Sequence, residues 1–271
     1  MPELTTSRRV MLALAEFGGV LGAVQIHDRW KLRNHRRALR TERTADDMFD
    51  PSLIESLPEA AHRYLRHAIA PDTPLARRVE LTMEGQLRLG ERWLAFDAEE
   101  TLAAQRGLVW RPNVRFGPGL AFSGADFHVD GTGGQRLVLA GLVPIVRSGG
   151  AAIDHSSAGR FLAESVWLPT SLLPTMGAEW EGIDHRRARV TLPAVEESLT
   201  ITIDEKGAVE SVETLRLDVD TGEMRPFGAT IERERTVDDL TIPSRLEVGW
   251  GFGTDAYEPF FRAELRDISF H

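Results

Sequence analysis

The sequence predicts a mainly β domain of the α+β class, in which one central helix lies on a large, curved antiparallel sheet. In most of the 271-residue chain, apolar residues recur with the two-residue period of half-buried strands. One central stretch, residues 154–173, has its apolar residues at helical spacing instead. The strand-like runs follow one another as hairpins, without the βαβ alternation of a parallel sheet. A helix on a curved sheet favours a binding cleft over a catalytic site.

The predicted strands rest on this alternation. Between Val79 and Leu89, apolar residues alternate with polar ones, which predicts a strand with one buried face. Residues 94–98 continue the pattern, and Leu137–Val146, apolar on both faces, is predicted to be a central strand. Further strands are predicted over Ala188–Leu192, Leu199–Ile203, Val209–Val219, Ala229–Val237, Leu246–Phe252 and Phe261–Phe270. The total is about nine or ten strands in an antiparallel meander.

Two local features refine the predicted sheet. Residues 204–207 form a hairpin loop in which Gly207 suits the left-handed position. In the last strand, Phe261 and Leu265 share a face, whereas Ile268 is out of phase with them. A bulge near Asp267 would restore the alternation.

Two helices are predicted in the body of the chain. Residues 56–69 form a short amphipathic helix, with Ser56 as its cap and Pro58 in its first turn. The central helix lies near residues 154–167, with Asp154 as its cap.

The composition excludes several classes of function. The net charge is −9, although residues 27–43 carry seven basic residues against two acidic ones. An acidic body argues against nucleic acid as a partner, because duplex binding needs several cations on one face. The basic segment could contact anionic lipid headgroups. The chain has no cysteine, which excludes disulfides, thiolate nucleophiles and cysteine-ligated metals.

Residues 1–43 are predicted to be a hydrophobic and then basic helix that attaches to a membrane, followed by one β domain over residues 44–271. Residues 10–26 resemble a membrane segment, but Glu16 lies inside this stretch and its length is just short of a hydrocarbon core. An uncleaved anchor is favoured over an interfacial helix or a helix packed on the body. The basic residues that follow place the body in the cytoplasm by the charge rule.

Six residues are candidates for contact with a ligand: Arg160, Phe161, Glu164, Trp167, Trp110 and Trp250. Arg160 and Glu164 are four residues apart, and Trp167 continues their stripe of the helix over the mouth of the sheet. The favoured alternative for Arg160 and Glu164 is a helix-surface ion pair, worth about 0.3–0.5 kcal/mol. The tryptophans could equally be ordinary core or rim residues.

Catalytic and metal sites are not predicted. Asp126, His128 and Asp130 would share one face of a strand and could ligate a divalent ion, but a solvated strand face is favoured because no fourth ligand follows at a recognisable spacing. Asp154, His155 and Ser156 lack the geometry of a hydrolase triad. We predict no cofactor.

Five segments together resemble a bacterial family of unknown function whose members often carry an N-terminal membrane segment: residues 57–69, 126–134, 159–169, 179–184 and 242–250. The resemblance covers roughly residues 50–271, and Arg160, Glu164 and Trp167 match its most specific motif. It implies a fold similar to that of the lipoprotein carriers LolA and LppX, an incomplete, strongly curved barrel with helices over its concave face. An extracytoplasmic location would follow from the resemblance. Phe127 or His128 replaces a tyrosine usual in the family.

Three functions remain, in order of preference. The first is a non-catalytic binder or carrier of a lipid or lipoprotein acyl chain at a membrane. The second is a structural or interaction module with a filled core on a membrane-tethered scaffold. The third is a metal-assisted hydrolase that uses Asp126, His128 and Asp130.

Overall fold

The computed structural model describes residues 33–40, 47–117, 120–141, 143–193 and 195–271. Residues 39–271 form one compact unit, whose described part contains a thirteen-stranded antiparallel sheet. Residues 33–38 belong to a separate N-terminal unit and are helical. The mainly β fold predicted from the alternation is therefore confirmed.

The elements of the larger unit follow one another in a simple order. The first half contains helix α1 (Glu59–Ala68) and strands β1 (Arg78–Leu89), β2 (Arg92–Ala103), β3 (Gly107–Gly117), β4 (Leu120–Val129), β5 (Thr132–Leu139) and β6 (Val143–Ser148). Helix α2 (Ala151–Glu164) and three 3-10 turns (Ser165–Trp167, Pro169–Leu172, Pro174–Met176) come next; a further 3-10 turn (Pro51–Ile54) precedes α1. The second half contains β7 (Glu179–Gly182), β8 (Arg187–Thr191), β9 (Ser198–Ile203), β10 (Val209–Asp218), β11 (Glu223–Val237), β12 (Leu240–Trp250) and β13 (Glu258–Phe270).

The sheet consists of two meanders joined at the centre. Strands β1–β6 and β7–β13 each pair with their neighbours in sequence, and the antiparallel β1–β13 pair joins the two sets. Strands β6 and β7 are therefore the two edges of the sheet. Helix α2 and the turns after it carry the chain from one edge to the other.

The sheet is open and strongly curved, as predicted. Helix α2 contacts both β5 and β10, although seven strands separate these two in the sheet. A flat sheet could not bring them to one helix, because neighbouring strands lie about 4.8 Å apart. The two arms of the sheet therefore wrap around α2. Helix α1 packs on the second arm, against β7, β8, β9 and β12.

The two local features predicted for the sheet are both present. The β1–β13 register shifts between Leu81 and Met83, so that Arg266 and Asp267 together face Thr82. This is the predicted bulge, and the Asp267 amide donates to Thr82 Oγ1 at 3.0 Å. Gly207 lies in the β9–β10 loop at φ 93°, as expected for this hairpin.

The number and bounds of the strands differ from the prediction. Leu137–Val146 is not one central strand; its two halves lie in β5 and in the edge strand β6. Ala140 and Gly141 turn the chain there with φ of 49° and 70°, and two successive positive φ values are typical of a tight hairpin. Strands β3 and β7 were not predicted, and β4 was considered only as the strand of the alternative metal interpretation. Arginines and a proline interrupt the alternation of β3, and β7 is only four residues long.

Both helices begin away from their predicted caps. Helix α1 begins at Glu59 after Pro58, so Ser56 is not its cap. Helix α2 begins at Ala151 rather than Asp154, because Gly150 reverses the chain at φ 102°. Helix α2 ends at Glu164, and 3-10 turns continue where a single longer helix was predicted.

Candidate functional site

A cavity of about 380 Å³ lies between the curved sheet and the segment formed by α2 and the 3-10 turn after it. Its wall is mainly apolar and is built from both arms of the sheet, with Leu87, Phe122, Leu137, Phe227, Val248 and Phe261 among its residues. On β1, the two-residue period that buries Val79, Leu81 and Met83 also turns Leu87 into the cavity. The space is within the size range of small-molecule sites.

One end of the sheet combines the mouth of the cavity with most of the exposed apolar side chains. Leu89 lines the cavity and is 45% exposed. Eight of the ten exposed large apolar residues in the described part of the chain lie in or beside the hairpins at this end: Leu89, Phe116, Leu120, Val143, Ile145, Leu215, Val219 and Met224. Antiparallel pairing places these hairpins together, although they are far apart in sequence.

Arg160 is the centre of a charged cluster at the inner wall of the cavity. Its Nη1 donates to Asp126 Oδ2 at 2.7 Å and its Nε to Glu164 Oε1 at 2.8 Å. The guanidinium carbon lies 4.9 Å from the centre of the Trp110 ring. The side chains of Arg160 and Glu164 are 12% and 17% exposed, so they are not the surface ion pair favoured from sequence. The helical stripe that carries them faces the sheet instead of solvent.

Glu100 completes this cluster from β2. Its fully buried side chain places Oε2 3.6 Å from Arg160 Nη2. Neither Glu100 oxygen, nor Oε2 of Glu164, has a hydrogen-bond donor among the described residues. Burial, and then the Glu164 carboxylate, raise the pKa of Glu100 well above its usual range. A proton on Glu100 would supply a hydrogen-bond donor to Oε2 of Glu164, which otherwise lacks one.

Arg216 is a second cation in the cavity wall, and its partners are neutral. Its Nε donates to the Ser156 carbonyl oxygen at 2.9 Å, and its guanidinium carbon lies 4.7 Å from the Phe227 ring and 5.4 Å from the Trp250 ring. Burial, and then the charge of Arg160, lower the pKa of Arg216 to about 10, so the group remains charged at neutral pH.

The structure brings five of the six candidate ligand-contact residues to this cavity. Arg160, Glu164, Trp167, Trp110 and Trp250 line it. Phe161 is not part of the lining; it is 1% exposed and stacks on His128. Trp167 is held in place because its Nε1 donates to the Pro243 carbonyl oxygen at 3.0 Å.

Sequence reasoning missed Glu100 and Arg216. Both occupy inward-facing positions of alternating strands, Glu100 between Ala98 and Leu102, and Arg216 in phase with Val212. For Glu100, a charged residue on an otherwise apolar face was the signal that could have identified it; Arg216 shares its face with Thr214 and Asp218, so the pattern of β10 gives no such signal.

The residues considered for a metal site and for a hydrolase triad each contact a different partner in the structure. Asp126 binds Arg160, His128 Nδ1 lies 3.0 Å from Ser157 Oγ, and Asp130 binds Arg106 at 2.7 Å. His155 pairs with Glu197. Within the described ranges, no group of three or more histidine and acidic residues could hold a metal ion.

The predicted membrane segment, residues 10–26, lies outside the described residues, as do the rest of residues 1–32 and residues 41–46. In the part of the chain that the structure does describe, no helix has the length and apolar character to cross a membrane.

These features define the class of the protein as an open, curved antiparallel β protein with an internal, mainly apolar cavity. The chain belongs to DUF6920, a family of unknown function, whose sequence profile matches residues 55–270. The predicted membership of a family of unknown function is thereby confirmed. No curated protein matches the chain.

Several solved structures are similar to this one at low sequence identity. A LolA superfamily protein from Nitrosomonas europaea is 8% identical with a TM-score of 0.41, and the match covers 78% of this chain and 92% of that one. A DUF1329 family protein from Desulfovibrio piger is 9% identical with a TM-score of 0.43, covering 78% and 90%. A domain from Vibrio parahaemolyticus named for outer membrane lipoprotein sorting is 11% identical with a TM-score of 0.39, covering 72% and 85%.

Proposed function

We propose that the protein is a non-catalytic binder or carrier of a hydrophobic ligand, a lipid or a lipoprotein acyl chain, at a membrane. The observation that carries this proposal is the mainly apolar cavity of about 380 Å³ under α2. An acyl chain in it would be stabilised by about 25 cal/mol for each Å² of apolar surface removed from water. The few polar groups at the inner wall would orient the ligand.

The apolar hairpins beside the mouth support the membrane part of this proposal. Exposed apolar patches are uncommon on soluble proteins unless they bind a partner or a membrane. A ligand that leaves a bilayer would enter where Leu89, which lines the cavity, meets solvent. Attachment of residues 1–43 to the membrane remains a proposal from the sequence alone.

The scaffold alternative requires an interior filled by side chains. A cavity of about 300 Å³ or more, the lower end of the size range of ligand pockets, favours a binder over a scaffold. The observed volume, about 380 Å³, therefore favours the binder.

Filling the cavity tests the proposed function. Ala163 lines the cavity from α2 and is 8% exposed, so Ala163→Phe should occupy part of the space that a ligand needs. The full chain, purified without detergent, would be extracted with organic solvent and its lipids measured by mass spectrometry. We expect bound lipid in the wild type and a reduction of about tenfold in the variant, the effect of losing roughly 1.4 kcal/mol of binding.

Ala152→Phe is the matched control, because Ala152 is exposed on the same helix. It should retain the wild-type amount of lipid. A wild-type protein without lipid that also takes up no added fatty acid would contradict the proposed function and favour the scaffold.

A further inference from the structure

We propose that Arg216 is the binding site for the anionic group of the ligand, so that the cavity selects an amphiphile with one negatively charged headgroup, a carboxylate or a phosphate. This inference rests on the proposed function and adds the chemical class of the ligand. The two arginines of the cavity differ in their partners.

Arg160 and Arg216 both line the cavity, but only Arg160 has carboxylate partners. Arg160 binds Asp126 and Glu164 at 2.7 and 2.8 Å. Arg216 donates through Nε to Ser156, and its Nη1 and Nη2 make no hydrogen bond or ion pair with any residue that the structure describes. A partly buried cation without a counter-ion carries a desolvation cost, and an incoming anion offsets that cost.

The backbone of α2 holds Arg216 in a defined position. A Cβ atom on Gly159 would lie 3.1 Å from Arg216 Cγ, so the glycine leaves room for the arginine stem to cross the helix. Further along the side chain, Arg216 Nε donates to the Ser156 carbonyl oxygen, and the guanidinium group lies near the rings of Phe227 and Trp250. A guanidinium fixed through Nε still presents two terminal nitrogens, the geometry that binds a carboxylate or phosphate in bidentate fashion.

The neighbouring charges do not occupy this site. Asp126 and Glu164 face the cavity but each is bound to Arg160, and Asp218 at the end of β10 binds Arg225. Arg160 repels the Arg216 charge, which adds to the gain from an anion. The acyl chain of such a ligand would lie against the apolar wall of the cavity.

Quenching of the cavity tryptophans by brominated lipids can test this proposal on the full chain, because Trp110, Trp167 and Trp250 line the cavity. Two matched pairs differ only in the anion: dibromostearate against dibromostearyl alcohol, and a brominated lysophosphatidate against the corresponding monoacylglycerol. We expect the wild type to bind the anionic member of at least one pair about tenfold more tightly, the effect of one charge-assisted hydrogen bond. The pair with the larger ratio distinguishes a carboxylate from a phosphate.

Two variants assign the preference to Arg216. Arg216→Met keeps most of the stem and removes the charge, so the anion preference should disappear while affinity for the neutral lipids is retained. Arg216→Lys keeps the charge and should retain part of the preference, which controls for a loss of folding in the methionine variant.

The outcomes separate this inference from the proposed function. Equal wild-type affinity for charged and neutral lipids, or an anion preference that survives in a folded Arg216→Met, would overturn the assignment of Arg216 and leave the binder intact. Failure of all four lipids to quench the tryptophans would overturn the proposed function, and this inference with it.

Discussion

The buried position of Glu100 on β2 changes the protonation behaviour of its carboxyl group. Because successive side chains of β2 point to opposite faces of the sheet, Glu100 lies on the same face as Ala98 and Leu102, and its carboxyl group is removed from water. Arg160 attracts the charged form, but Glu164 already binds Arg160 and repels a second negative charge. The outcome is a raised pKa, with burial as its largest cause.

Replacement of Glu100 by glutamine should make stability less dependent on pH. Because the pKa of Glu100 is raised in the folded protein, its contribution is fully present below the unfolded pKa, about 4.3, and is lost as pH rises through the folded pKa. Over that range the wild type should lose about 1 kcal/mol per pH unit relative to Glu100→Gln. Denaturant unfolding at pH 4.5, 7 and 9 measures this difference.

Glu99→Gln is the matched control for this prediction. Glu99 is the preceding residue on the same strand, but its side chain is 53% exposed beside Arg111. Its substitution should change the stability by a similar small amount at each pH. A Glu100→Gln difference that does not grow between pH 4.5 and pH 9 would show that Glu100 is ionised in the folded state.

At the scale of elements, the position of α2 depends on a close approach to the β4–β5 hairpin. The Gly133 amide donates to Asp154 Oδ1 at 2.7 Å, which explains why Asp154 is used inside the first turn and not as a cap. A Cβ atom on Gly133 would lie 2.7 Å from the Ile153 carbonyl oxygen and would also clash with Ser157 Oγ. This contact sets the distance between α2 and one arm of the sheet.

Gly133→Ala should therefore destabilise the protein by about 1–3 kcal/mol, the usual cost of overpacking. Thermal and denaturant unfolding measure it. Gly149→Ala is the control, since a Cβ atom there would meet nothing closer than 3.9 Å and the change should be within about 0.5 kcal/mol. Equal effects of the two substitutions would show that α2 does not depend on this approach.

For the whole molecule, the β1–β13 pair is the junction of the two arms. Both strands lie at the centre of the sheet, whereas β6 is an edge strand with a mostly exposed face. Strands at an edge open with less free energy than central strands, because fewer contacts must be broken.

Hydrogen exchange of the full chain, followed by mass spectrometry, should show this order. Amides of β1 and β13 should exchange most slowly, and those of β6 at least about tenfold faster, since a difference of roughly 1.4 kcal/mol in opening free energy corresponds to a factor of ten. Protection of β6 equal to that of β1 would indicate that the first arm opens only when the whole domain unfolds.

The sequence by itself determined the class of the fold and several of its details. The two-residue period, the Gly207 loop and the break in phase near Asp267 are local patterns, and each appears in the structure where it was predicted. Such features follow from neighbouring residues, because strand alternation and turn conformation are properties of short segments.

Only the tertiary structure decided which charged groups meet at the cavity wall and directly behind it. Glu100, Asp126, Arg160 and Arg216 come from β2, β4, α2 and β10, and no local spacing relates them. They converge because the β1–β13 pair joins the two meanders and the curved sheet folds both arms around α2. The sheet covers the side of α2 that carries Arg160 and Glu164. For this reason the two residues face a cavity and not solvent.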